Sequence, residues 1–313
     1  MLDFELKILG SSSATPSVNR FPTSQILTIG SQINLIDCGE GTQMQLMRFK
    51  IKPQRICNIF ISHLHGDHYF GLFGLISSMQ LQGRTTSLNL FGPPGLSELL
   101  SLSLRYSNTH LSFNLNFQEL DPSEYRQVHE EKLFSVHSLP MEHRVSCCGF
   151  LFREKPKLRH LVKGSFPPDL SPTQLVQLKH GEDLFDAAGN LLVSCKEVTC
   201  DPRPSRSYAY FSDTRYKEDL LPYIRHVDLL YHEATFMDDL RHRAVQTFHS
   251  TARQAAELAA KAQVKQLLIG HFSVRYKDLT PLLEEARQYF PDTLLAVEGT
   301  TVRVPDALVN NEV

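Results

Sequence analysis

Between residues 63 and 68 the chain reads His-Leu-His-Gly-Asp-His. No other stretch constrains the fold as tightly. Each imidazole and carboxylate brings polar atoms that must be paired or stay wet. An apolar run, Ile59-Phe60-Ile61, and Ser62 lead into the stretch, so it lies at the end of a strand. Side-chain packing has no use for such a set, but a metal ion does, because neutral imidazole and carboxylate are standard zinc ligands. His63 and His65, two apart on an extended segment, face one side and can grip one ion. Gly66 lets the chain turn, so that Asp67 and His68 face a second position beside the first.

These residues alone cannot close two sites. Partners of the right kind stand at other predicted strand ends: His143 just after one, Asp213 ending another, and His271 in Leu-Leu-Ile-Gly-His-Phe. Asp213 could bridge two ions with its two oxygens. The expected sets are His63, His65, His143 and Asp213 around one ion, and Asp67, His68, Asp213 and His271 around the other. A donor list of imidazole and carboxylate without thiolate favours zinc, with manganese or iron as alternatives. The six cysteines include no Cys-x-x-Cys, and we expect all of them to be reduced.

A chain of 313 residues with 42 % hydrophobic and 21 % charged content can bury a substantial core. Its net charge of −2 excludes a generic basic nucleic-acid coat but not a local basic surface. No apolar run reaches a membrane span and no signal-peptide pattern opens the chain. The expectation is therefore a cytoplasmic protein without a membrane partner.

Alternating or apolar runs predict strands over 4–9, 24–29, 33–37, 57–62, 87–91, 113–119, 133–139, 147–153, 208–211, 227–231, 265–270 and 293–297. Helical spacing and capping signals predict helices over 42–49, 68–82, 95–106, 172–179, 251–262 and 280–289. From about 154 to 206 prolines recur and apolar periodicity fades, which reads as an arm inserted into one domain spanning 1–313. Potential ligands fall repeatedly at strand C-termini. That rhythm fits a layered α/β (α+β) domain with its site at one sheet edge.

Phe60-Ile-Ser-His-Leu-His-Gly-Asp-His68 resembles the signature of the metallo-β-lactamase superfamily. Leu35-Ile-Asp-Cys-Gly-Glu-Gly-Thr-Gln43, Tyr231-His-Glu-Ala-Thr-Phe236, His249-Ser-Thr251 and Gly270-His-Phe-Ser-Val-Arg-Tyr276 resemble motifs of one branch, the tRNA 3′-processing endoribonucleases of the ribonuclease Z family. The resemblance implies a metallo-β-lactamase-like αββα sandwich with an inserted arm and two Zn²⁺ on the ligands named above. It implies removal of the 3′ trailer from precursor tRNA, by attack of activated hydroxide on the phosphodiester, leaving a 3′-hydroxyl on the tRNA. Asp67 would orient the hydroxide, and His249, aided by Glu233, would act as general acid. Arg275 would clamp a phosphate. Lys155, Lys157, Arg159 and Lys163 form a basic stretch in the arm that could track the tRNA backbone. A homodimer is implied, with no DNA partner. The alternative is a dizinc phosphodiesterase or another small-molecule hydrolase of the same superfamily. The loop Thr15-Pro-Ser-Val-Asn-Arg20 only loosely follows the family's Pro-x-Lys-x-Arg-Asn loop, and the arm lacks its Gly-Pro-rich turn apart from Lys163-Gly-Ser-Phe-Pro-Pro168.

Overall fold

The computed structural model describes residues 3–304. The strand Phe4–Gly10 alternates buried and half-buried side chains at its start, as a strand facing a core on one side must. It pairs antiparallel with Ser24–Ile29, which pairs with Gln32–Cys38. Parallel strands Ile56–Phe60, Leu88–Gly92 and Leu115–Glu119 continue this first sheet. Thr301–Arg303 closes its other edge, giving seven strands. The second sheet, also of seven strands, carries the parallel set Ser207–Phe211, Leu229–Glu233, Gln266–Gly270 and Thr293–Leu295. Antiparallel Cys148–Glu154, Phe134–Pro140 and Arg126–Glu130 complete it.

Phe4, Leu6, Ile8, Phe60, Phe150 and Tyr208 pack between the sheets. On the outer face of the first sheet, Leu35 and Ile59 meet Leu72, Ile76 and Met79 of the helix Gly66–Leu81. On the outer face of the second, Ala255, Ala256 and Ala259 of the helix Ala252–Ala262 let backbone and sheet approach closely. Thr251 starts that helix with a capping box to Gln254, satisfying two terminal N–H groups. The order is helix, sheet, sheet, helix: an αββα sandwich. All cysteines among the described residues are free, and no described helix is long and apolar enough to cross a membrane.

Asn34, Asn58, Asn89 and Asn116 stand side by side on consecutive parallel strands. Each amide donates to the next: Asn116 Nδ2 to Asn89 Oδ1 (3.0 Å), Asn89 Nδ2 to Asn58 Oδ1 (2.8 Å), Asn58 Nδ2 to Asn34 Oδ1 (2.9 Å) and Asn34 Nδ2 to the Leu27 carbonyl (3.1 Å). A slipped register would leave these amides unpaired, so the ladder fixes alignment where apolar side chains alone would not. Asn58 is fully buried. Asn58→Ala strands a donor and an acceptor and is expected to lower the unfolding free energy by about 2–4 kcal/mol. Urea denaturation checks this, and a change below about 0.5 kcal/mol, the level of an ordinary surface substitution, would contradict it.

The larger of two compact units runs to Arg153 and resumes at Ser207; Glu154–Arg206 folds as a unit of its own. Its first and last residues are tied together: Arg206 donates from Nε and Nη2 to the Glu154 carboxylate (3.0 and 2.7 Å), a buried bidentate pair. Ser171 caps its helix Pro172–His180, and Gly181, at φ 86°, ends it. Leu178, Leu184, Val193, Cys195 and Val198 form its small core.

The strand Thr301–Arg303, the strand Arg126–Glu130 and the helix Arg241–Thr247 were not among the predicted elements. All are short and largely polar. Only Ala244 is buried in that helix, which therefore has no apolar stripe to read.

Candidate active site

Parallel strands of both sheets end at one edge, and the candidate ligands lie just beyond those ends. Ile56–Phe60 delivers Ser62 to His65; Gly66 then opens a helix with Asp67 and His68 in its first turn. Ser207–Phe211 delivers Asp213, and Gln266–Gly270 delivers His271, which sits at φ 57°. His143 follows Phe134–Pro140 in a loop.

One ligand atom each from His63, His65, His143 and Asp213 lies within 4.8 Å of the others, and the same holds for Asp67, His68 and His271. His65 Nδ1 is 3.1 Å from both His63 Nε2 and His143 Nε2. His68 Nε2 and His271 Nε2 are 3.3 Å apart. Asp213 spans the sets. Its Oδ2 is 3.6 Å from His63 and 3.7 Å from His143; its Oδ1 is 3.4 Å from His68 and 3.2 Å from His271. That Oδ1 is buried and accepts no hydrogen bond. Lone pairs turned on one another around an orphaned carboxylate oxygen suit a cation and little else. The donor set fits divalent metal.

The opposite ring nitrogens are committed elsewhere, which fixes each ring. His68 Nδ1 bonds Asp37 Oδ2 (2.7 Å), His271 Nδ1 meets Thr235 Oγ1 (3.0 Å), and His143 Nδ1 donates to the Phe248 carbonyl (2.9 Å). Asp37 also accepts from Ser62 N, Ser62 Oγ and Tyr210 Oη. Sequence reasoning gave these supporting residues no role. Asp37 lay inside a quoted motif, and its signal was a charged residue closing an apolar strand.

Burial, with the neighbouring His68 ring, holds His63 well below its usual pKa. Burial lowers His65 and His143 as well, each partly offset by Asp213. Neutral rings are the form a metal takes. Burial works against charge on His68 too, but Asp213, Asp67 and Asp37 surround it and raise its pKa well above the usual value. That negative surround is also what a divalent cation requires.

His249 Nδ1 donates to Glu233 Oε1 at 2.8 Å. Glu233 is fully buried and also accepts from the backbone N–H groups of Thr214, Thr235 and Ser250. Burial lowers the His249 pKa, but the Glu233 charge and hydrogen bond, then Asp213 and Asp67, carry it up to about 9. His249 also lies within reach of Asp213 and His271, with its Nδ1 committed to Glu233. It lines a cavity of about 380 Å³ together with His65, Asp67, His143, Arg144 and Asp213. Asp67 Oδ2 on that wall accepts the Ala14 N–H at 2.7 Å.

Arg275 is not among the residues lining this cavity; it is exposed and stacks over Phe236, 5.2 Å from the ring centroid. Lys155, Lys157, Arg159 and Lys163 belong to the Glu154–Arg206 unit. There Lys157 pairs with Glu154 (2.8 Å) and Arg159 with Asp201.

The chain is 48 % identical over 311 residues to Ribonuclease Z of Cytophaga hutchinsonii, covering 99 % of each protein. The chain belongs to the ribonuclease Z family. Ribonuclease Z of Parabacteroides distasonis is 44 % identical over 97 % of this chain and 100 % of its own length. The crystal structure of the short form of human tRNase Z matches with TM-score 0.70 at 25 % identity, over 96 % of this chain and 99 % of that one. A metallo-β-lactamase-fold protein of Bacillus subtilis shares the fold at 16 % identity and TM-score 0.69. A family model described as anti-Pycsar protein Apyc1 matches residues 4–159. That match ends before Asp213, His249 and His271. For this ribonuclease Z family member, an endoribonuclease, members of both candidate ligand sets and His249, backed by Glu233, line one cavity in which a phosphodiester can be hydrolysed.

Proposed function

We propose that this protein removes the 3′ trailer from precursor tRNA and leaves a 3′-hydroxyl, using two zinc ions held by His63, His65, His143 and Asp213 and by Asp67, His68, Asp213 and His271. The observation that carries the reading is His249, backed by buried Glu233, facing the same cavity as members of both ligand sets. Relatives named ribonuclease Z and tRNase Z supply the substrate class. Bound there, divalent metal supplies Lewis acidity and makes a water acidic enough to attack at neutral pH.

The chain's own residues do the rest. Asp67, pinned through Oδ2 by Ala14, orients the attacking water. Asp213 keeps the two ligand sets in register. His249, held protonated by Glu233, gives its proton to the departing 3′-oxygen of the tRNA. Arg275 binds backbone phosphate. Adding chelator to the purified protein is expected to stop trailer removal, and adding back divalent zinc or manganese to restore it. Trailer removal that survives exhaustive chelation would contradict the reading.

The arm Glu154–Arg206 holds the tRNA body in this proposal, within a cytoplasmic homodimer. Lys157 and Arg159 serve internal ion pairs, so Lys163 carries more of the phosphate contact. Lys163→Glu is expected to raise KM for precursor tRNA by about 2–5-fold at low salt, with a shallower salt dependence and kcat little changed. Steady-state kinetics at two salt concentrations check this, and an unchanged KM counts against the arm. The alternative reading is a small-molecule phosphodiesterase on the same ligands. It predicts turnover of an aryl phosphodiester without trailer removal.

A further inference from the structure

The residue before His249 stands in a backbone conformation that its type avoids. Phe248, at φ 60° and ψ 47°, ends the helix Arg241–Thr247 in the left-handed region usually taken by glycine. His249 closes that helix end, donating its own N–H to the Ala244 carbonyl at 2.8 Å. The direction in which His249 leaves the helix therefore depends on Phe248 keeping this conformation.

Three groups from the ligand loops hold the turn. Arg215 Nε donates to the Val245 carbonyl (3.1 Å), Arg144 Nη2 to the Gln246 carbonyl (3.2 Å) and His143 Nδ1 to the Phe248 carbonyl (2.9 Å). The Gln246 and Phe248 carbonyls are ones a helix end leaves without helical partners, and the Val245 carbonyl also accepts the Phe248 N–H at 3.4 Å. Arg215 does more than the others. Its guanidinium lies 3.6 Å from the centre of the Phe248 ring, and its Nη1 pairs with Glu142 at 3.0 Å. The Arg215 backbone N–H also bonds the Glu142 carbonyl at 3.0 Å, and Glu142 is the neighbour of His143. One planar, always charged side chain thus joins the loop after Asp213, the loop of His143 and the turn that carries His249. A phenylalanine at a glycine-like position makes sense as the surface on which Arg215 stacks.

We propose that Arg215 is a positioning residue for His249: it locks the Phe248 turn so that the imidazole meets the leaving oxygen. This rests on the reading of His249 as general acid, and the test separates the two. Precursor tRNA leaves as a poor alkoxide that needs a proton. Bis(p-nitrophenyl) phosphate leaves as p-nitrophenolate, which does not. Arg215→Ala is expected to lower kcat on precursor tRNA by about 10–100-fold, the scale of a misplaced acid, with KM within about twofold. On the aryl diester the loss should stay below about threefold, because the ligands are untouched. Arg215→Lys, which keeps the charge but not the fork, should recover part of the loss.

Phe248→Ala removes the same contact from the other side and decides the matter if Arg215→Ala does not fold. The double variant should be no worse than the worse single one. Parallel losses on both substrates, or no loss on either, would overturn the proposal. His249→Ala is the reference. If it splits the two substrates and the Arg215 and Phe248 variants do not, the positioning role is wrong and the general acid stands. If His249→Ala shows no split, the acid role falls and the positioning role falls with it.

Discussion

Asp213→Asn is expected to lower kcat for trailer removal by at least about 10³-fold, a loss of about 4 kcal/mol of transition-state stabilisation, and to strip metal from the protein. The substitution is nearly isosteric and should leave the fold intact. What it removes is negative charge at the one residue that reaches both ligand sets, 3.2 Å from His271 through one oxygen and 3.6 Å from His63 through the other. An amide offers one oxygen, and its NH₂ would point a donor at ring nitrogens that already present lone pairs. Burial opposes the Asp213 charge, yet the His271 and His68 rings pull its pKa well below the carboxylate range. A buried carboxylate held ionised in this way is committed to cationic partners. Metal content by elemental analysis and single-turnover cleavage check the expectation together. Full metal occupancy with kcat within about tenfold of the parent, about 1.4 kcal/mol, would show that Asp213 does not bridge.

The second large effect is expected at His249. His249→Ala should lower kcat on precursor tRNA by about 10²–10⁴-fold, the contribution of a positioned general acid. The sign of its pH dependence follows from its partners. The protonated ring is the active form, so the rate falls as pH rises through the His249 pKa, which lies at about 9. Among the groups that raise this pKa against burial, Asp213 and Asp67 are candidate ligands whose charge a bound cation offsets. Glu233 is not, so its contribution survives. Glu233→Gln removes it, and the basic limb of the pH–rate profile should move to lower pH, with the rate at neutral pH falling accordingly. A basic limb unmoved by Glu233→Gln would detach that limb from this pair.

The clustering of the candidate ligands was legible because the chemistry of His-x-His-x-Asp-His has so few other uses, and because their missing partners had to stand at strand ends. The layered fold was legible from alternating and apolar runs such as 4–9 and 265–270, whose buried faces are written in the residue types. What escaped has a common physical character. The helix Arg241–Thr247 buries only Ala244 and is held by arginines from distant loops, so nothing in its own sequence announces it. Thr301–Arg303 exists because the strand Phe4–Gly10 accepts it on its otherwise open side. Asp37 and Thr235 orient ligand rings across 31 and 36 residues of chain, a relation that only folding creates. The arm cations were legible as a basic stretch, but the ion pairs that engage Lys157 and Arg159 were not.

Hydrolysis of precursor tRNA at the 3′ side of the tRNA, with His249 protonating the 3′-oxygen, is tested by mapping both new ends after cleavage in ¹⁸O-labelled water. The expected products are a tRNA ending in a 3′-hydroxyl and a trailer beginning with a 5′-phosphate that carries the label, formed only when divalent metal is supplied. A tRNA ending in a phosphate or cyclic phosphate, or label on the tRNA rather than the trailer, would contradict it.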